Sequence, residues 1–510
     1  MNESKERSGY LRLWRFPAMV VLVGVGMQMW WTATTTTTDS STIVRTEFAD
    51  WFRRNGGWMS DRVELMDYTD EYGNGLRVVV SGDDDDDAVV EDGAGVVAIY
   101  KGQPLLRVPS SMQFSEQQSK QKFQKMNRGA TDRILQSLYH ENGAGGRIGR
   151  MEQQDMMMAL DLMLECSLGK ESFHYPYLSI LPQTVPRLDL FSAEELDLLQ
   201  DASLTRMTLS YSAMLRSQWD TLRSALHQLI ESSTTGAAKA NDDDCATWES
   251  FQRFVALVAS RAMILQDSTK YLVPMADMMN HEPRNNDNDE ESFTSFHVRD
   301  ETSGTISVAA DRDFPFSTKS NSPMSSSSSV LVEEYGKVDS SLFITVFGFV
   351  PNDNPYHCVL LPTPRWEDVD MGALWTKYYP PLDSVCVRKD KSLLEEGFGE
   401  KRLAMALSLD SNARAICLTA SSRSEMDSKC ATSTTTQQPK DDDKRNNYLR
   451  SAATKALSNA PTTLQHDQDL LRDMTTTTNH PAFQGMNPDH VALALRFRIE
   501  EKMVLSHIAA

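Results

Sequence analysis

Cysteine is scarce in this chain: six in 510 residues, at Cys166, Cys245, Cys358, Cys386, Cys417 and Cys430, with no Cys-x-x-Cys pair. Such spacing carries no zinc signature and no readable disulfide framework, so no metal site is expected. A lysine and arginine stripe is also missing, which disfavours nucleic-acid binding because phosphates would find no neutralising surface. Positive charge is outnumbered overall, and the net charge is −20. Three aspartate runs, at residues 83–87, 242–244 and 441–443, hold 11 of those negative charges; without them the balance is −9. Runs of this kind read as solvated loops rather than as docking sites for a basic partner.

What is present is an ordinary globular composition, 40% hydrophobic and 24% charged, in a chain long enough for two or three domains. Lys5, Arg7, Arg12 and Arg15 precede an apolar run of 16 residues at 16–31 and then a Thr-rich tract. A basic segment before an apolar one has the form of a secretory-type leader. Its length lies below the roughly 20 residues of a spanning helix, which leaves removal and a single membrane anchor both open. The same form suits the first half of a plastid import signal; a cytoplasmic location is the alternative. Residues 1–44 are therefore set apart as targeting segment and linker.

Trp51 and Phe52 belong to a short amphipathic helix closed by Gly56 and Gly57. Strand-like sequence follows at residues 72–80 and 95–99, a hairpin whose tip is lengthened by the first aspartate run, and again at 103–109. From 113 to 259 the apolar period is helical, with Met156, Leu160, Met163 and Leu164 in one stripe and Leu204, Met207, Tyr211, Met214 and Leu215 in another. The methionine stripe reads as core. Strands return at 271–276, 295–299, 305–310 and 330–335; alternation in the last sets Leu331, Glu333 and Tyr335 on one face. Beyond about residue 365 the pattern is helical again, interrupted by a polar tract at 421–447 that reads as disordered.

The most informative stretch is Val273-Pro-Met-Ala-Asp277-Met-Met-Asn280-His281, an apolar strand running into a polar cluster, answered by Tyr335-Gly336 and by Phe347-Gly348-Phe349-Val350. With Trp51, Gly73-Asn74-Gly75-Leu76, the series Ile99, Gly102, Leu105, Leu106, Val108 and Pro109, the group Glu165, Ser172, Phe173, Pro176, Tyr177, Leu181 and Pro182, and Ser260-Arg261, these motifs stand in a fixed order over residues 45–360. In that order the chain resembles the SET-domain protein methyltransferases similar to the Rubisco large-subunit lysine methyltransferases.

The resemblance implies an α+β fold: a β-rich SET domain at 45–362, split by a helical insert at 113–259, then an all-α substrate-binding domain at 363–510. It implies S-adenosyl-L-methionine as cofactor and a lysine side chain of a non-histone protein as substrate, in a monomeric enzyme. Asn74, Gly75, Arg261, Asn280 and His281 carry over to the cofactor site, Tyr335 to catalysis, and Asp277 and Phe347 to the substrate end. Gly93 and Gly95 compete with Gly73 and Gly75 for the cofactor loop. Phe347 stands where many members have a second tyrosine, and Ser340 where asparagine is usual. Those departures favour two alternatives, a protein-histidine methyltransferase and a catalytically silent SET module that binds protein; the apolar run alone favours a membrane-tethered scaffold.

Overall fold

The computed structural model describes residues 40–68, 73–78, 96–139, 149–233, 245–266, 268–282, 296–316, 330–362, 384–390, 438–476 and 481–510. Residues 44–510 form one compact unit, and of the unit before it only the start of the first helix is described. The leader at 16–31, Gly93 and Gly95, and the aspartate run at 83–87 lie outside the described residues. Among those described, no helix is long and apolar enough to cross a membrane.

Helix α1 (Ser40–Arg54) turns Phe48, Trp51 and Phe52 inward at helical spacing. Short strands follow: β1 (Trp58–Met59), β2 (Val63–Tyr68), β3 (Gly73–Val78), β4 (Val96–Ile99), β5 (Pro104–Val108) and β6 (Phe114–Ser115). The helical insert comprises α2 (Glu116–Met126), α3 (Arg128–Tyr139), α4 (Arg150–Leu168), α5 (Tyr175–Ile180), α6 (Ala193–Asp197), α7 (Ala202–Ser233) and α8 (Trp248–Arg261). Strands resume as β7 (Met263–Ile264), β8 (Lys270–Leu272), β9 (Asn280–His281), β10 (His297–Arg299), β11 (Ile306–Ala309), β12 (Phe314–Phe316) and β13 (Val330–Glu333). The chain closes with α9 (Ser340–Leu342), the hairpin β14 (Cys358–Pro362) and β15 (Ser384–Arg388), and then α10 (Gln438–Asn459), α11 (Leu464–Thr476) and α12 (Pro488–Ala509).

Two four-stranded sheets, ordered β1-β5-β11-β10 and β2-β3-β13-β9, flank a three-stranded β6-β8-β7. Helix α4 is apolar on nearly every side because it is buried on nearly every side: Met156, Met157, Met158, Leu160, Leu162, Met163 and Leu164 have no exposed surface. Its polar exceptions are paired. Asp155 holds the Lys270 ammonium through both carboxylate oxygens at 2.7 Å, and Gln154 accepts the Lys270 backbone N–H at 2.7 Å. Strand β8 is thereby pinned to α4 just before the polar cluster. A separate core joins Val359, Leu361 and Val387 of the C-terminal hairpin to Leu449 of α10 and Val504 and Ile508 of α12.

Several sequence readings change in detail. The strand expected at 271–276 ends at Leu272, because Pro274 lacks an N–H and Met275 takes a φ of +76° that pairing excludes. The strand at 330–335 stops at Glu333, and Val332 is buried along with Leu331 and Glu333 in a strand paired on both edges, so the burial does not alternate as expected. Met207, assigned to a core stripe, is 62% exposed. The polar tract is helical from Gln438 onward; its part at 421–437 is outside the described residues. The C-terminal region is helical as expected, with β15 added to it. Cysteine carries more than its spacing revealed: Cys166 is bonded to Cys245 and Cys358 to Cys386, while Cys417 and Cys430 fall outside the described residues.

Candidate functional site

Between β8 and β9 the chain makes a single tight turn at Ala276–Met278, entered through the positive φ of Met275. That backbone is costly for a non-glycine residue and persists because Met275 is wholly enclosed and Val273 accepts the Asp277 N–H at 3.0 Å. The turn sends the Asp277 carboxylate inward, where its side chain has no solvent-exposed surface. Tyr177 of α5 donates its hydroxyl to Oδ2 at 2.7 Å, and Arg261, the last residue of α8, sets Nη1 3.3 Å from the same oxygen. The same Nη1 donates to the Asp277 carbonyl at 2.9 Å. Burial raises the carboxyl's pKa, and the Arg261 charge and the Tyr177 hydroxyl work against that rise. Asp277 Oδ1 is buried without a hydrogen-bond partner.

Two residues on, β9 lies parallel to β13, with Asn280 opposite Val332 and His281 opposite Glu333. On its other edge β13 pairs antiparallel with β3, Leu331 opposite Leu76. Gly75, next to Leu76 in β3, therefore lies in the same sheet as Asn280, with β13 between their strands. Asn74 is in β3 beside it. The Asn280 Nδ2 is buried and unpartnered, like Asp277 Oδ1.

His281 Nδ1 accepts the Tyr335 backbone N–H at 3.0 Å. Burial, aided by the nearby Arg312 charge, pushes the imidazole down to about 4 from 6.5, so it is neutral near pH 7 with its proton on Nε2. The Tyr335 hydroxyl donates to the Met279 carbonyl at 2.6 Å, which places it against the turn that carries Asp277 and Asn280. Burial raises the phenol's pKa well above its usual value, so the hydroxyl keeps its proton and acts as a donor.

Beside the Tyr335 ring stand those of Phe347 and Phe349, and beside His281 that of Phe343. Centroids lie 5.0 Å apart for Tyr335 and Phe347, 4.6 Å for His281 and Phe343, and 5.2 Å for Phe343 and Phe349. Phe343 and Phe347 share the face of one widened helical turn, closed by the Gly348 N–H on the Phe343 carbonyl at 3.0 Å. Gly348 itself is required there: its φ is +78°, and a Cβ would come within 3.2 Å of the Pro186 backbone.

The structure thus brings together Arg261, Asp277, Asn280, His281, Tyr335 and Phe347, with Gly75 in the same sheet. Asn74 joins them by its strand. Among the described residues no group of histidine, cysteine, aspartate and glutamate has the form of a metal site. Tyr177 stands in one of the ordered motifs without a part in the expected site; the Pro-Tyr pair at a helix start was the available signal. Phe343 was missed altogether.

Comparison with known proteins gives the site its context. The family described as Rubisco LSMT substrate-binding matches residues 387–505. Comparison of the sequence with curated proteins gives no match. Among solved structures, the SET domain of LSMT bound to lysine and AdoHcy is similar at a TM-score of 0.59 and 18% identity, over 91% of this chain and 90% of that one. Rubisco LSMT bound to AdoMet is similar at 0.56 and 17% identity, with the same coverage, 91% and 90%. Rubisco LSMT bound to sinefungin and monomethyllysine is similar at 0.58 and 17%, again over 91% and 90%. This chain has the fold of the LSMT SET structures, and its residues 387–505 match the Rubisco LSMT substrate-binding family.

Proposed function

We propose that this chain is an S-adenosylmethionine-dependent protein-lysine N-methyltransferase acting on a non-histone protein. The observation that carries the reading is the convergence of Tyr335, His281, Asn280 and Asp277, from stretches 54 residues apart, on one sheet edge within that fold. One buried polar atom at that edge, Asn280 Nδ2, lacks a partner in the protein, as expected where a polar ligand completes the bonding. Gly75, Asn280 and His281, with Asn74 and Arg261, would hold the cofactor. The cofactor supplies, when bound, an electrophilic methyl group on sulfonium sulfur.

The protein's part is alignment and dehydration. An ammonium entering a cluster of neutral rings loses hydration and is pushed toward the free amine, whose lone pair is the nucleophile. The Asp277 carboxylate does not compete to keep it charged, because it is turned onto Arg261 and Tyr177. The Tyr335 hydroxyl orients the amine, and the neutral His281 fixes Tyr335 through its backbone. Asp277, wholly enclosed, acts as a positioning group for the turn and not as a contact to substrate. The helical region at 387–505 supports a protein as the acceptor.

Phe347 faces Tyr335 with no hydroxyl of its own, so one hydrogen bond that would hold the amine still is absent. On this reading Phe347 sets how many methyls are added, or admits a histidine. The disulfides fit an oxidising compartment. The test is labelled methyl transfer into a lysate of the source organism, read by mass spectrometry, with calorimetry of cofactor binding. Tyr335→Phe should cut transfer by roughly 100-fold while leaving cofactor affinity within a few-fold; equal labelling by the variant would overturn the assignment. Phe347→Tyr should change the product pattern, and an identical pattern removes its proposed role.

A further inference from the structure

The turn that carries Phe343 and Phe347 begins at α9, and a helix start leaves backbone N–H groups without partners in the helix. Asp339 Oδ1 takes the Leu342 N–H at 3.0 Å. The Ser340 N–H goes elsewhere, to His357 Nδ1 at 3.3 Å, 17 residues away and at the edge of β14. His357 has no exposed surface. Beside it Asn354 donates Nδ2 to the Val338 carbonyl at 3.0 Å and to Ser340 Oγ at 3.3 Å. The turn holding both side chains is closed by the His357 N–H on the Asn354 carbonyl at 3.1 Å and the Tyr356 N–H on Asn354 Oδ1 at 3.0 Å.

On its far side the imidazole faces α12: Nε2 is 3.4 Å from Glu501 Oε1, and the ring meets Phe497 edge-on with centroids 6.1 Å apart. Accepting at Nδ1 requires that nitrogen to be bare, so the ring carries its proton on Nε2, on the side of the Glu501 carboxylate, where proximity and not a hydrogen bond joins the two. One enclosed side chain therefore caps the site helix and touches the helix that ends the substrate-binding region.

We propose that His357 is a positioning residue: it sets the turn bearing Phe343 and Phe347 against Tyr335 and ties that turn to α12. Its kinetic consequence rests on the methyltransferase reading, but its structural consequence does not. Asparagine and glutamine separate the two contacts. Asn Oδ1 falls near the place of Nδ1 and accepts from Ser340 without reaching Glu501, whereas a glutamine amide lies near Nε2 and leaves Ser340 without an acceptor.

Hydrogen exchange by mass spectrometry on the full chain reads the turn directly, with cofactor calorimetry and methyl-transfer kinetics beside it. In His357→Gln, exchange over 335–349 should rise about tenfold while 273–282 keeps wild-type protection, and kcat should fall about tenfold with KM and cofactor Kd within twofold. In His357→Asn, exchange over 335–349 and kcat should stay within about twofold of wild type, and exchange over 488–505 should rise. Wild-type protection of 335–349 in the glutamine variant, or its loss in the asparagine variant, overturns the proposal. If the glutamine variant does not fold, the asparagine variant decides alone. A wild-type protein that transfers no methyl group sinks the methyltransferase reading, and the exchange data still decide the role of His357.

Discussion

Removing the Arg261 guanidinium should harm this protein more than removing the Asp277 charge, because the two partners differ in access to water. The Asp277 side chain has no exposed surface, while that of Arg261 is 18% exposed. In Arg261→Met the carboxylate stays enclosed with only the Tyr177 hydroxyl on Oδ2 and nothing on Oδ1. Breaking a buried pair from this side costs about 3–5 kcal/mol. The single 3.3 Å contact and the partial exposure of Arg261 place this case near the lower figure, about 3 kcal/mol. Asp277→Asn leaves the guanidinium free to turn toward solvent and keeps a partner for Tyr177, so about 1–2 kcal/mol is expected. The double variant should lose less than the sum, since neither charge is then stranded. Urea unfolding at pH 7.5, with equal m-values, measures all three. An Asp277→Asn variant as unstable as Arg261→Met would refute the reasoning, since it would mean that the ionised carboxylate is itself a net stabiliser.

His281 gives a pH signature. Its folded pKa, about 4, lies below the ordinary 6.5, so the stability it contributes is complete above pH 6.5 and is lost as pH falls toward 4. The advantage of wild type over His281→Gln in urea should therefore shrink by about 2 kcal/mol between pH 7.5 and 5; a constant gap contradicts it. Cys166 and Cys245 are 79 residues apart and Cys358 and Cys386 28 apart, so loop closure assigns about 4.5 and 3.6 kcal/mol to the two bonds. Reductant should lower the unfolding midpoint of wild type and leave a variant with all four cysteines changed to serine unmoved. No effect of reductant on wild type would exclude both bonds.

The turn from Val273 to His281 was legible because its chemistry is contiguous: a proline ends the strand, and polar residues follow at once. Tyr335 and Gly348 were legible by spacing. Tyr177 was not, since its bond to Asp277 spans 100 residues and nothing local in a Pro-Tyr pair says which carboxylate it will meet. The cysteines failed for the same reason, their pairing being made by the packing of α4 against the start of α8 rather than by any motif. Strand β15 is a different kind of miss. Ser384-Val-Cys-Val-Arg388 alternates apolar residues with the period of a strand, and the surrounding helical pattern overrode it.

These misses share a consequence for the chemistry. Each residue the sequence did not assign, Tyr177, Phe343 and His357, acts on another residue and not on a ligand: Tyr177 on Asp277, Phe343 on His281, His357 on Ser340. Of the charged groups around Tyr335, Asp277 and Arg261 are matched to each other and Glu333 stands against His297, while the histidine beside Tyr335 is neutral near pH 7. On the methyltransferase reading, desolvation brings the acceptor to its free amine, and selection among acceptors then falls to the shape of the ring cluster. Phe347 is the ring whose lost hydroxyl most directly alters that shape, which is why its exchange for tyrosine should change the products more than the rate.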